Sequence, residues 1–193
     1  MEKELIINGI KYKAVEEYTL NNKEYIGVEE TEKKVKSSLD DYTTIITYED
    51  ACEALGLEVD VLPIDTKIPK SEIACMKLKV IAKALRGGKE VNYTEQDWWY
   101  HPSFYLYPPN EVEKIPEWHK RQLNLIKVDV RSVFNDTNIY AFGCVNTTGF
   151  TFSHRINCVS RLYFLQPDEK IANYFGKQFI KLWAEYNDFA VIE

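Results

Sequence analysis

The side chains best suited to acid–base or metal chemistry near neutral pH are histidines, and this chain has three, His101, His119 and His154. No H-E-x-x-H, no pair at helical spacing and no His–Cys cluster accompanies them, so the spacing implies no metal site and no cofactor. His101 follows an aromatic run and His154 precedes Arg155 near a predicted strand end, so these two are the histidines that folding can bring together. No G-x-S-x-G presents a nucleophilic serine. Gly87-Gly88 follows a predicted helix, whereas phosphate-cradling glycines precede one. The carboxylate pairs Glu16-Glu17 and Asp40-Asp41 sit in polar stretches with no apolar setting to raise a pKa. The expectation therefore leans away from an enzyme and assigns no catalytic residue, with an enzyme using His101 or His154 as the minority alternative.

Binding is the chemistry the residue types favour. Trp98-Trp99-Tyr100-His101 forms the most unusual composition in the chain, and adjacent aromatics on a loop can stack on a sugar ring or a base. Trp98, Trp99, Tyr100, His101, His154 and Arg155 are the candidate ligand-binding residues. The ligand expected is a protein or a carbohydrate. Lys77, Lys79, Lys83 and Arg86 line one side of a predicted helix and make nucleic acid a second, less favoured partner.

Composition sets the frame for these residues. The chain has 193 residues, 45% hydrophobic and 28% charged, which fits a soluble globular domain of ordinary size, with or without a small appendage. A net charge of −6 disfavours a broad nucleic-acid surface, since phosphate binding requires clustered cations. No run of about 18 apolar residues is present, so no membrane span is expected. The first residues lack the basic start and apolar centre of a signal peptide, pointing to the cytoplasm of a bacterial or infected cell, or to a particle assembled there. Cys52, Cys75, Cys144 and Cys158 are too scattered for a disulfide framework and read as reduced thiols.

The elements that must position the candidates follow from periodicity. Leu5–Ile7, Ile10–Tyr18 and Lys23–Val28 predict a three-stranded meander over residues 1–29, with Asn8-Gly9 as its first turn. A charged stretch over 30–42 reads as a linker to a main domain over 43–193. Thr43–Thr47 predicts a short strand, Thr47 caps a helix over Tyr48–Leu55, and Gly56 stops it. A longer helix leads from Pro69 and Ser71 to Gly87-Gly88. Phe104–Tyr107, Leu123–Val130, Ile139–Val145, Phe150–His154 and Arg161–Leu165 read as strands. Asn110–Arg121 reads as a long loop, and Asn146–Gly149 as a hairpin turn. Ile171, Phe175, Phe179, Leu182, Trp183 and Tyr186 then form an apolar stripe on a C-terminal helix over 168–187. The class is α+β, with one or more antiparallel sheets of short strands packed against two or three helices.

Several segments, taken in order, also carry a resemblance. Tyr48–Gly56, the helix ending Ile81–Gly88, the Trp98–Phe104 segment, and Ser160–Phe164 followed by Tyr174–Phe179 resemble a family of uncharacterised proteins encoded by phages and prophages of gut Bacteroidales. The similarity spans roughly residues 45–188. Val159 and Tyr163 depart from its pattern, which has a small residue and a cysteine there, and Asn110–Arg121 looks like an insertion. The resemblance implies no activity and no catalytic residue. Together with the aromatic run and the absence of catalytic motifs, it leads to the expectation of a non-enzymatic, phage- or prophage-derived binding or virion-associated protein. The alternative is an intracellular effector that binds nucleic acid or a host protein.

Overall fold

The computed structural model describes residues 4–7, 10–20, 23–30, 36–59, 68–91, 98–134, 139–151 and 162–192. The chain divides into two compact units, Met1–Lys36 and Ser37–Glu193. The first is an antiparallel sheet of β1 (Glu4–Ile7), β2 (Ile10–Leu20) and β3 (Lys23–Glu30) in sequential order. Leu5 pairs with Tyr12 and Tyr18 with Tyr25, and the register shifts between Ala14 and Glu16. The residues expected to form its turns lie outside those described.

The second unit is α+β. Its antiparallel sheet runs in the order β4 (Trp98–Tyr107), β6 (Ile139–Thr151), β5 (Ile126–Asp129) and β7 (Ala190–Ile192). One face is covered by α1 (Tyr48–Leu55), α2 (Lys70–Leu85), α6 (Glu169–Gln178) and α7 (Ile180–Tyr186), whose buried side chains share one core with Phe142 and Cys144 of β6. The short helices α3 (Pro109–Val112) and α4 (Glu117–Leu123) precede β5, and α5 (Arg131–Phe134) follows it. Successive strand residues point to opposite faces. Cys144 accordingly meets Gly176 of α6, while its neighbour Gly143 meets Leu123 and Leu125 on the outer face.

Local chemistry explains the best-defined ends. Thr47 and Asp50 form a reciprocal capping box at the start of α1, which satisfies two backbone N–H groups at once. Gly56 ends that helix at φ 67°, a conformation that glycine adopts without steric cost. The stretch expected as a linker is drawn into the second unit from Ser37 onward, where the Ser37 hydroxyl donates to Glu53 at 3.2 Å.

Tertiary context overrides the local pattern elsewhere. The predicted strand at Thr43–Thr47 gives way to a 3-10 turn over Tyr42–Thr44. A second turn of this kind, Leu162–Phe164, replaces the described part of the strand predicted at Arg161–Leu165. The apolar run reports burial of Phe164 and Leu165, not strand pairing. Only the next residue, Gln166, reaches the sheet, exchanging backbone hydrogen bonds with Tyr100 at 2.8 and 2.9 Å. The Asn146–Gly149 turn is absent, because β4 is long enough to pair with β6 through Trp98 and Thr151. Asn110–Arg121 is largely helical, since Pro109 opens α3 and Pro116 precedes α4. Asn124, at φ 50°, ends α4 inside the strand predicted from Leu123, so β5 begins at Ile126.

The C-terminal helix is present as α6 and α7, which meet at Phe179 with φ −106°. The break does not scatter the stripe. Phe175 and Phe179 have ring centroids 6.0 Å apart, and Phe175 and Trp183 5.0 Å. Phe104 of β4 packs on Trp183 at 5.0 Å and on Phe142 at 5.1 Å, tying helix to sheet.

Candidate ligand-binding face

The aromatic run lies on a strand and not on a loop, and this separates its members. Alternation along β4 sends Trp98 and Tyr100 to one face and Trp99 to the other. Trp99 is only 8% exposed and packs with buried Leu165 and half-buried Val91 and Leu162. It is a core residue. Trp98 is 58% exposed, and Tyr100 is half-buried.

Gly149 of β6 lies opposite Tyr100. A Cβ added there would lie 2.9 Å from Tyr100 Cε1 and 3.4 Å from Trp98 Cε3, so the missing side chain is what lets the Tyr100 ring settle over the neighbouring strand, with Trp98 in contact beside it. The result is a two-ring surface on a paired backbone, with the Trp98 indole open to solvent. Such a surface can stack on the apolar face of a planar or ring-shaped ligand without reorganising.

His101 does not join it. Its Nδ1 lies 2.9 Å from the carbonyl oxygen of Pro102. The residue lines a cleft of about 40 Å3 with Phe104, Phe164, Trp183 and Tyr186, room for about one water. On the face reached by odd-numbered residues of β4, the Ser103 and Thr148 hydroxyls are hydrogen-bonded at 2.6 Å. His154 and Arg155 lie outside the described residues. His119 is on α4, stacked on Trp118 with centroids 5.1 Å apart. Among the described residues, no group of three His, Cys, Asp or Glu side chains is placed to hold a metal ion.

The basic face of α2 is not a continuous surface. Arg86 is 8% exposed, and its Nη1 donates to the carbonyls of Tyr163 and Leu165 at 3.0 and 2.8 Å, while Nε donates to Lys89 O at 3.1 Å. Lys83 is ion-paired with Glu90. Lys77 and Lys79 lie over the rings of Tyr48 and Tyr163, at 5.4 and 4.4 Å. Helical spacing put Arg86 beside the lysines, but two of the carbonyls it binds, those of Tyr163 and Leu165, arrive almost eighty residues later and carry no local signal.

Cys52 and Cys144 are buried and Cys75 is half-buried, all as free thiols. Burial pushes the Cys144 thiol up to about 11, against a smaller opposing effect of Lys177, which makes it a poor nucleophile near neutrality. Burial, and then the nearby Asp50 carboxylate, push the Tyr174 phenol up to about 12. That hydroxyl donates to Ile45 O at 3.0 Å and joins α6 to the segment before α1. Among the described residues, no helix is long and apolar enough to cross a membrane. Comparison with protein-family models, curated proteins and solved structures finds no match to this chain.

Proposed function

We propose that this is a non-enzymatic, phage- or prophage-derived binding protein, associated with the virion, whose ligand is a carbohydrate held at Trp98 and Tyr100. The observation that carries the reading is the 58% exposure of Trp98 on an edge strand paired along its length with β6. A large ring fixed in this way loses little conformational freedom on binding, and its open face suits the C–H surface of a sugar. Tyr100 extends the same surface and brings a hydroxyl able to donate to and accept from a sugar hydroxyl. The resemblance to phage- and prophage-encoded proteins supports the setting.

Two experiments test the two parts. Incubation of the protein with an array of bacterial surface glycans is expected to give a restricted set of hits that Trp98→Ala abolishes; a blank array, or hits indifferent to Trp98→Ala, refutes the carbohydrate ligand. Mass spectrometry of purified particles is expected to find the protein in the virion. Abundant protein in infected cells with none in particles rejects that location and turns the reading toward an intracellular effector.

A further inference from the structure

The outer face of the sheet carries a second feature, unrelated to the aromatic run. Asn124 ends α4, and its Nδ2 donates to the Lys177 carbonyl at 2.8 Å. Leu123 and Leu125 close over Gly143, where an added Cβ would lie 2.4 Å from Leu125 Cδ2 and 3.1 Å from Leu123 O. The α4–β5 connection is thus held against β6.

Beside it are two adjoining hollows of about 390 and 470 Å3, which share Val112, Lys120, Lys127 and Ala141. Each is of the size that suits a small ligand. They differ in chemistry. Arg121 and Asn124 line the first, whereas Ile139 and Ile192 line the second. Glu113 is the one carboxylate among the described residues lining either, against Lys120, Arg121 and Lys127. Lys120 is paired with Glu117 at 2.6 Å, so Arg121 and Lys127 against Glu113 leave the trough with a net positive charge. Lys127 lines both hollows and lies opposite Ile192 in the sheet, so a chain of net charge −6 has a local cationic excess along an apolar trough, with Arg121 at its first end.

We propose that this trough binds a small amphiphilic carboxylate, with its head between Arg121 and Lys127 and its chain running past Lys127 over Ile139 and Ile192. Charge complementarity selects the head, because a carboxylate gains charge-assisted hydrogen bonds that a hydroxyl does not. Removal of apolar surface from water favours the tail.

Calorimetric titration of the full chain with decanoate below its micelle concentration, decan-1-ol and acetate tests this, together with amide chemical-shift mapping. Decanoate is expected to bind one per chain, with decan-1-ol about tenfold weaker or worse and acetate without measurable affinity. The shifts are expected to cluster at Leu125–Lys127 and Ile139–Ala141. The Arg121→Gln/Lys127→Gln double variant, whose changes are at exposed positions, is expected to melt with the parent and lose decanoate about tenfold. The proposal is overturned by equal affinity for acid and alcohol, by an undiminished double variant, by shifts located elsewhere, or by no binding to the folded parent. Displacement of decanoate by a far tighter acidic Leu/Glu peptide overturns it in favour of a protein-docking groove.

Discussion

Arg86 is the residue on which the interior depends most for its polar groups. Its guanidinium donates to the Tyr163 and Leu165 carbonyls and to Lys89 O, so truncation leaves buried acceptors without these donors. Arg86→Ala is expected to lower stability by about 2–4 kcal/mol, since hydrogen bonds to charged groups contribute about 1.5–3 kcal/mol and orphaned acceptors add a desolvation cost. Lys83→Ala, which removes a partly exposed ion pair, is expected to change stability by less than about 1 kcal/mol. Urea titrations of both variants check this. The buried thiol gives a pH dependence. The folded state holds the Cys144 proton up to about pH 11, against an ordinary value of 9.0, so in this window unfolding releases a proton and stability falls as pH rises. Tyr174 adds the same sign between its ordinary 10.0 and about 12. Below pH 9 both contributions are fully present. Cys144→Ala is expected to flatten the melting-temperature decline between pH 9 and 11, and an unchanged slope would contradict the assignment.

The core is closed at the scale of elements by the α6–α7 pair. Phe179 is 5% exposed and packs edge-on to Phe175 and Tyr174. Phe179→Ala should cost about 3–5 kcal/mol through lost burial and a residual cavity. Lys177→Ala retains the backbone carbonyl that Asn124 uses and should have little effect. Thermal melts compare them, and equal midpoints would show that these helices do not cover the core. Gly176 is the contact point with the sheet, where a Cβ would lie 2.5 Å from Cys144 Sγ and 2.6 Å from Pro102 Cβ. Gly176→Ala is expected to destabilise by about 1–3 kcal/mol. The elements legible in sequence were those with local causes: the Thr47 cap, the Gly56 stop and the 3.6-residue stripe of the terminal helices. Those missed had distant causes. Leu162 and Phe164 are apolar because α2, α7 and β4 pack against them, and Asn146–Gly149 stays extended because a long strand lies beside it.

For the molecule as a whole, the α+β class followed from counting periods, but the binding surface did not. Composition singled out Trp98, Trp99 and Tyr100 together, whereas strand alternation separates Trp99 from the other two, and packing with Leu165, Val91 and Leu162 buries it and leaves Trp98 and Tyr100 as the pair. What decides between core and platform is the partner strand, and in particular Gly149, fifty residues away in sequence and without any motif of its own. Exposed Trp98 should be dispensable for folding, so Trp98→Ala is expected to shift stability by no more than about 0.5 kcal/mol. The most direct measurement is a binding titration of a glycan ligand by parent, Trp98→Ala and Trp118→Ala, the last removing an indole that is 67% exposed on α4. The proposed function predicts that Trp98→Ala loses about tenfold or more in affinity, while Trp118→Ala binds as the parent does. Equal affinities for all three proteins, or a loss confined to Trp118→Ala, would contradict a carbohydrate site at Trp98 and Tyr100.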